Sequence, residues 1–302
     1  MAKKIVVNLS NGETIIAREE PSKKTTSEKI VHIIASILLG VIALTYVLSF
    51  LWAVMAGFND HMGVTIRPFE FPEIWHWENY IYVFTTLEVR GINMIGMIFN
   101  SLIYALIGPV LAIGGSGILA YIIAKYKFPG RNVLLTINVV VMTLPLIGGT
   151  ASTYRLFKML GMIDSPTLLI NSIGTFGANF LYMLSCFKGV SNTYREAAEI
   201  DGAGHYTIMF KVMFPMAMGT ATALWILQFI AVWNDSGTAL LYWPNMPTLA
   251  TGIYLFNEIA VTRSQNHYLM AATVVSAIPP LLLFCFFHKK ILTNVTFGGI
   301  KG

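Results

Sequence analysis

The sequence predicts an all-α polytopic membrane protein with six transmembrane helices, both termini in the cytosol and a cytosolic helix between the fourth and fifth spans. Hydrophobic residues make up 55% of the 302 residues and charged residues only 12%. The mean hydropathy is +0.65. This composition leaves too little charge to cover the surface of a soluble domain of this length. The count and orientation of the spans follow from the apolar windows and from the positions of the basic residues.

Six windows free of charge are long enough to cross a bilayer, which takes about 20 apolar residues as a helix. They cover residues 30–59, 91–124, 132–154, 165–187, 212–234 and 264–288. A seventh uncharged window, 236–257, contains Pro244 and Pro247. Because prolines interrupt helices, we predict an ordered external loop over about 236–263 instead of a span.

The lysines and arginines orient the six spans. Of the 20 basic residues, five fall on one side of the predicted membrane: Arg67, Arg90, Arg155, Lys158 and Arg263. The other fifteen fall on the side of both termini, which is therefore predicted to be cytosolic. A seventh span would move Lys289, Lys290 and Lys301 to the opposite side. The predicted organisation is a cytosolic segment (1–29), a six-span domain (30–290) and a cytosolic tail (291–302).

Several classes of function lack the motifs that they require. The sequence contains no phosphate-binding glycine loop, no His/Cys cluster with metal-ligand spacing and no hydrolase nucleophile motif. We therefore predict no catalytic residue, no metal site and no cofactor on this chain. Cys186 and Cys285 lie in apolar runs, which argues against a disulfide framework. The basic residues flank apolar segments, so the net charge of +5 indicates membrane topology instead of nucleic-acid binding.

The second span carries a small residue at every fourth position: Gly108, Ala112, Ser116, Ala120 and Ala124. Such a stripe lets another helix approach closely within lipid. We therefore predict that this face of the span packs against a neighbouring helix.

The fourth and fifth spans carry polar residues that are costly in a membrane unless they find partners or line a wet cavity. Asn171 and Asn179 are eight residues apart, which places them near one face of a continuous helix. The last two turns of the fifth span carry Gln228, Trp233 and Asn234. The amides are consistent with two roles: they can hydrogen-bond to another helix, or they can line a solute pathway. Trp233 fits sugar stacking and interfacial anchoring equally.

The predicted cytosolic loop 188–211 holds the densest polar cluster of the chain. Three carboxylates, Glu196, Glu199 and Asp201, occur among alanines and glycines. We predict a short helix over about 193–206, with acidic residues favourably placed at its start. The small residues give this helix a low profile, which is typical of a docking surface.

The same loop resembles a known motif. The segment from Glu196 to Pro215 reads Glu196-Ala197-Ala198, three residues, Gly202, nine residues, Val212, one residue and Phe214-Pro215. This pattern resembles the EAA loop of ATP-binding-cassette importer permeases. Val212 and Phe214 replace the isoleucine and leucine of the usual pattern. Other segments are similar to the sugar importers of that family and follow in order along about three quarters of the chain: Phe128-Pro129-Gly130-Arg131, Met142-Thr143-Leu144-Pro145, Trp233-Asn234-Asp235 and Gly298-Gly299-Ile300-Lys301-Gly302.

The resemblance implies a multi-pass permease in the cell membrane that imports a sugar or oligosaccharide by alternating access. Implied partners are two ATP-binding cassette subunits, which bind ATP and Mg, a second homologous permease and an extracytoplasmic solute-binding protein. The docking residues that it implies on the coupling helix are Glu196, Ala197, Ala198, Asp201, Gly202 and Ala203. It also implies that the tail, Lys301-Gly302, inserts between the ATPase subunits.

Two alternatives to a sugar permease remain. A permease of the same superfamily for peptides or amino acids is disfavoured by the tail and by Trp233-Asn234-Asp235. A stand-alone secondary transporter needs charged residues within its spans for ion coupling, often with internal repeats. The six predicted windows carry neither feature.

Overall fold

The computed structural model describes residues 4–8, 14–18, 25–144 and 148–295. Most of these residues are helical. The α-helices in chain order are α1 Thr26–Gly57, α2 His61–Ile66, α3 Glu78–Thr85, α4 Met94–Lys125, α5 Arg131–Thr143, α6 Thr150–Met159, α7 Ala178–Gly189, α8 Thr193–Ile200, α9 His205–Thr207, α10 Phe214–Trp233, α11 Gly237–Tyr242, α12 Leu249–Thr262 and α13 Asn266–Val295. A 3-10 helix, Pro166–Ser172, precedes α7, and a π-helix, Ile208–Met213, joins α9 to α10.

Two short antiparallel hairpins accompany the helices. Strand β1 (Lys4–Asn8) pairs with β2 (Thr14–Arg18), and β3 (Glu88–Val89) pairs with β4 (Ile92–Asn93). The chain divides into two compact units, residues 1–52 and residues 53–302. In the first unit, the apolar side chains of α1 are exposed on all sides of the helix. A helix that is hydrophobic all round is typical of a membrane span.

Four helices of the described residues are long and apolar enough to cross a membrane. They are α1, α4, the continuous helix His205–Trp233 and α13 as far as His288. Helices α5 and α12 are apolar but shorter. Together they make the chain an all-α, multi-pass membrane protein.

The windows 132–154 and 165–187 are not continuous helices, in contrast to the prediction. Helix α5 ends at Thr143, and Leu144 is extended with φ −75° and ψ 122°. The residue before a proline is restricted to extended conformations, so Pro145 accounts for this end. In the second window a break at residues 173–177 separates the 3-10 helix from α7. Gly177 in that break has φ +128°, a region that favours glycine.

The predicted small-residue stripe of α4 packs closely against the 3-10 helix and this break: a Cβ atom on Gly108 would lie 3.5 Å from Oγ of Ser172, and one on Gly174 would overlap the carbonyl oxygen of Ala112. Gly115, which is not part of the predicted stripe, also approaches closely, because a Cβ atom there would overlap the carbonyl oxygen of Gly174. Helix α4 packs most extensively on α7 and α10. Backbone contacts of this kind are possible only where side chains are absent or very small.

A buried amide secures the other side of the break. Asn138 of α5 is 0% exposed, and its Oδ1 accepts a hydrogen bond of 2.6 Å from the backbone N–H of Gly177. Gly177 is the N-cap residue of α7. The side chain therefore satisfies a backbone donor at the start of α7 that has no partner within its own helix.

The segment predicted as an external loop, 236–263, is mostly helical. Its prolines lie between α11 and α12, where they interrupt neither helix. The connection is tightly held: Asp164 accepts hydrogen bonds from the backbone N–H and the side-chain amide of Asn245 at 2.8 and 3.0 Å. Ser101 of α4 accepts another from Leu249 at 2.7 Å. The physical reason for the difference is that α12 starts after Pro247, with Thr248 as its N-cap.

Two large clusters of buried side chains lie along α4 and α10. The first includes Met94, Met97, Phe229, Trp233 and Leu269. The second includes Tyr121, Phe180, Phe187, Ile208 and Met213. We call the second the α8-side cluster, because Ala198 of α8 packs against it.

Gly115→Ala is expected to destabilise the fold, whereas Gly114→Ala is not. The two glycines are neighbours in α4, but a Cβ on Gly114 would meet nothing within 4 Å. Overpacking of a close contact costs about 1–3 kcal/mol. The measurement is the thermal unfolding midpoint of each variant in the same detergent. Equal midpoints for the two variants would contradict the proposed close contact.

Candidate functional site

Helix α8 is a short, well-defined helix on the surface of the chain. Its first turn is capped by Ser191, whose Oγ accepts a hydrogen bond from the Thr193 N–H at 3.2 Å. It ends in a Schellman motif: Gly202 has φ +81°, and the Ala203 N–H donates to the Ala198 carbonyl at 2.9 Å. The predicted end near Tyr206 was therefore wrong, because the left-handed glycine closes the helix at Ile200.

The inner side of α8 packs on the π-helix and contacts the end of α4 through Arg195. Ala198 and Ala203 are half-buried against the α8-side cluster. Arg195 lies with its guanidinium carbon 5.8 Å from the centre of the Tyr126 ring, within cation–π range. Its Nη1 also donates to Oε1 of Glu199 at 3.1 Å. The inner side of the helix is thus held by two half-buried alanines and by the contact between Arg195 and Tyr126.

The outer side of α8 carries an exposed carboxylate and a large exposed aliphatic side chain. Glu196, Ala197, Asp201 and Gly202 are all exposed. Glu196 forms no ion pair among the described residues, whereas Glu199 pairs with Arg195. Ile200, one turn after Glu196, is 87% exposed. We call these five residues the α8 surface.

The composition of the α8 surface suits binding to another protein. An exposed apolar side chain of this size is unfavourable in water, and burying it in a partner lowers the free energy by about 1.5–3 kcal/mol. A carboxylate beside it can form a charge-assisted bond to a basic group. Sequence reasoning selected Glu196 but missed Ile200 and the nearby Tyr206, which is 79% exposed. Their signal was a pair of large apolar residues in an otherwise small and polar loop.

A π-helix joins α9 to the long helix α10. In the segment Ile208–Met213 the helix widens, and the Phe214 N–H donates to the Met209 carbonyl, five residues earlier. Pro215 follows at the start of α10. A proline has no N–H and its ring clashes with the carbonyl four residues before it, so a wider turn accommodates it. The chain is therefore one continuous helix from α9 to the end of α10, and the turn at residues 201–204 joins it to α8.

The predicted solute-pathway residues do not form one group. Asn171 is exposed in the 3-10 helix and Asn179 is half-buried in α7, so the break removes the shared helix face that their spacing predicted. Gln228 is half-buried on α10. Asn234 is exposed and donates to the Ile230 carbonyl at 2.8 Å. Among the described residues, no hydrogen bond joins these side chains.

Trp233 is a core residue, whereas sugar stacking and interfacial anchoring would both need an accessible ring. It is 3% exposed and stacks on Phe229 with ring centres 5.8 Å apart. Its Nε1 donates to the carbonyl of Ser276 at 3.0 Å. The position at the end of an apolar helix could not distinguish burial against α13 from exposure at the interface.

The segment before α3 carries exposed aromatic side chains. Trp75 and Trp77 surround Phe58 with ring centres 5.2 and 4.6 Å away and are otherwise exposed. Next to them, a 2.6 Å hydrogen bond from His76 lowers the pKa of Glu78. Burial raises the pKa of Tyr80.

In the described part of the chain, no group of three or more His, Cys, Asp or Glu side chains is placed to hold a metal ion. Both cysteines, Cys186 and Cys285, are free thiols. The predicted tail residues Lys301 and Gly302 lie outside the described residues.

Comparison with known sequences identifies the family. The model of the "Binding-protein-dependent transport system inner membrane component" family matches residues 112–295, which include α8 and the broken helix. Among similar proteins, the diacetylchitobiose uptake system permease protein NgcG of Streptomyces coelicolor is 27% identical over 84% of each chain. The arabinooligosaccharides transport system permease protein AraQ of Bacillus subtilis is 26% identical over 76% of this chain and 81% of its own.

Solved structures share the fold. A chain of a bacterial ABC transporter that imports the acidic polysaccharide alginate superposes with a TM-score of 0.72 and 21% identity, covering 89% of this chain and 99% of its own. At this identity the likeness concerns the fold. The family match covers more than half of the sequence and contains the motif that first indicated it. The chain belongs to the binding-protein-dependent transport system inner membrane component family.

Proposed function

We propose that the chain is a permease subunit of an ATP-driven, binding-protein-dependent importer and forms half of the membrane pathway for a sugar or oligosaccharide. Family membership supports the transporter role. The substrate class is supported by relatives whose names specify diacetylchitobiose and arabinooligosaccharides. These relatives align over most of their own length, so the comparison concerns whole permeases.

The observation that carries the proposal is the α8 surface. A helix seated on small residues presents Glu196 and Ile200 outward: Glu196 forms no ion pair among the described residues, and Ile200 is 87% exposed. In our proposal α8 is the coupling helix. Glu196 pairs with a basic residue of an ATP-binding cassette subunit, and Ile200 enters an apolar pocket in the same groove.

The remaining partners follow from the same proposal. The complex contains two ATP-binding cassette subunits, a second, homologous permease and an extracytoplasmic solute-binding protein. ATP and Mg bind to the cassette subunits, and this chain supplies no catalytic group. In support of the external partner, a structure of a bacterial alginate ABC transporter includes a periplasmic protein with bound alginate pentasaccharide. The tail, Lys301-Gly302, remains a predicted ATPase contact.

We further propose six membrane crossings with both termini in the cytosol. Four are the long helices, and the other two combine α5 with α6 and the 3-10 helix with α7. At 2.0 and 1.5 Å per residue, the 7-residue 3-10 helix and the 12-residue α7 measure about 14 and 18 Å. Their sum is close to the roughly 30 Å of a hydrocarbon core. A break inside the membrane is tolerated where protein covers it, as α4 does here.

Transport then requires two arrangements of the helices. ATP binding closes the cassette dimer and moves α8, and the continuous helix from His205 to Trp233 carries the movement into the membrane. The solute-binding protein favours the arrangement that opens outward. Each ligand shifts the equilibrium only by its difference in affinity for the two states.

Glu196→Gln and Ile200→Ala are expected to weaken binding of the cassette subunit. Loss of the buried Ile200 side chain alone corresponds to a tenfold to hundredfold loss, from about 1.5–3 kcal/mol. The measurement is the amount of ATPase that co-purifies with the tagged chain from its native membranes. Glu258→Gln, which removes an exposed carboxylate from α12, is the matched control.

Co-purification of an ATPase, a second permease and a solute-binding protein with the unmodified chain would support the proposal and provide the binding protein for sugar screening. A chain that purifies alone, with transport independent of ATP, would favour a secondary transporter. Selective binding of peptides or amino acids by the co-purified binding protein would favour that class of permease.

The orientation has its own test, in a variant with Cys186 and Cys285 replaced by serine. With Lys127→Cys added, the thiol is expected to react with an impermeant maleimide only after the membrane is permeabilised. With Asn245→Cys added instead, it is expected to react in intact cells. Both positions are exposed. The opposite pattern, or the same pattern at both positions, would reject the six-span orientation.

A further inference from the structure

The α8 surface is held by more than its own chain connections. Two consecutive residues at the end of α4, Lys125 and Tyr126, form hydrogen bonds on either side of α8 in the sequence. Lys125 contacts the residues just before α8, and Tyr126 contacts the residue that starts α9. We infer that Lys125 and Tyr126 clamp the coupling helix to α4, so that α4 moves with it during transport. The inference rests on the docking role proposed above for α8.

Lys125 forms the stronger half of the clamp. Its Nζ donates to the carbonyl of Val190 at 2.6 Å and to Oδ1 of Asn192 at 3.0 Å. Val190 is the C-cap residue of α7. The carbonyl groups at a helix C-terminus have no partner within the helix and carry negative partial charge, so an ammonium group is favourable there. One side chain thus joins the ends of α4 and α7 and the residue before α8.

Tyr126 forms the second half. Its Oη lies 3.2 Å from Nδ1 of His205 in a hydrogen bond, and its ring lies beneath Arg195 of α8. The ring also packs edge-on against the buried Tyr121 at 5.8 Å. The contacts before, beneath and after α8 therefore all reach the same two residues at the end of α4.

The clamp adds a route into the membrane that the chain connections do not provide. The covalent connections link α8 to α7 and, through the π-helix, to α10. Helix α4 is the element against which both α7 and α10 pack most closely. Without the clamp, a movement of α8 would reach α4 only through packing. With the clamp, a movement of α8 reaches the end of α4 through the hydrogen bonds of Lys125 and Tyr126.

The test compares Lys125→Met with Lys127→Met in the complete transporter. Methionine keeps the length and apolar character of the stem but removes the ammonium donors. Lys127 is exposed two residues further along and serves as the matched control. Hydrogen–deuterium exchange of α8 amides is expected to become roughly tenfold faster in Lys125→Met, because hydrogen bonds to a charged group are lost. Exchange in α4 is expected to stay unchanged, as is α8 exchange in Lys127→Met.

The functional readout is the coupling of ATP hydrolysis to the solute-binding protein. In Lys125→Met the ATPase is expected to remain in the complex, but stimulation of MgATP hydrolysis by the co-purified binding protein is expected to fall severalfold. Lys125→Arg, which can donate to both acceptors, is expected to restore it. A purely structural lysine would lower assembly and stimulation together. Equal α8 exchange in the Lys125→Met and Lys127→Met variants would overturn the clamp.

Asn192→Ala provides a second variant if Lys125→Met does not fold. It removes one acceptor and leaves the lysine in place, so α8 exchange is expected to rise by less than in Lys125→Met. No rise would also overturn the clamp. The clamp and the docking role can fail independently. If no ATPase co-purifies with the unmodified chain, the docking role is contradicted, but the exchange rates of α8 amides still test the clamp.

Discussion

The close contact between α4 and the broken helix is the constraint on which the rest of the fold depends. Inside a bilayer there is no hydrophobic force between helices, so association depends on close packing and hydrogen bonds. Here the backbone at Gly115 meets the backbone at Gly174 without intervening side chains. Asn138 satisfies the N–H of Gly177 in the break. The discontinuous segment thereby keeps one of its backbone donors paired, which matters wherever water cannot reach it.

The same arrangement determines where α8 can lie. Because α4 and α7 pack along their length, their ends meet at Lys125 and Val190, and α8 begins three residues after Val190. Ala198 of this helix packs on the α8-side cluster, and Glu196 and Ile200 are exposed on the outer side. A projecting helix on a rigid support is suited to transmit force, since its position changes only when the supporting helices also move.

Much of this organisation could be predicted because it rests on local patterns. Four of the six apolar windows correspond to helices long enough to cross a membrane, and the small residues of α4 identified its packing face. The loop motif identified the family. Residue types and spacings alone suffice for these predictions, since helix burial in lipid and close helix packing each impose a periodic demand on the sequence. Glu196 was selected from the loop motif and from its charge in a loop of small residues.

Other features depended on contacts between residues far apart in the sequence. An apolar window does not reveal that Gly177 breaks the helix, because the break is stable only with Asn138 and α4 beside it. Trp233 fitted sugar stacking and interfacial anchoring equally, and its burial against α13 emerged only from the fold. The sequence by itself determined which segments are apolar and which motif marks the family, whereas the break at residues 173–177 and the helices within 236–263 were not predicted. The tertiary structure decided which polar groups are paired, since a hydrogen-bond partner can come from any part of the chain.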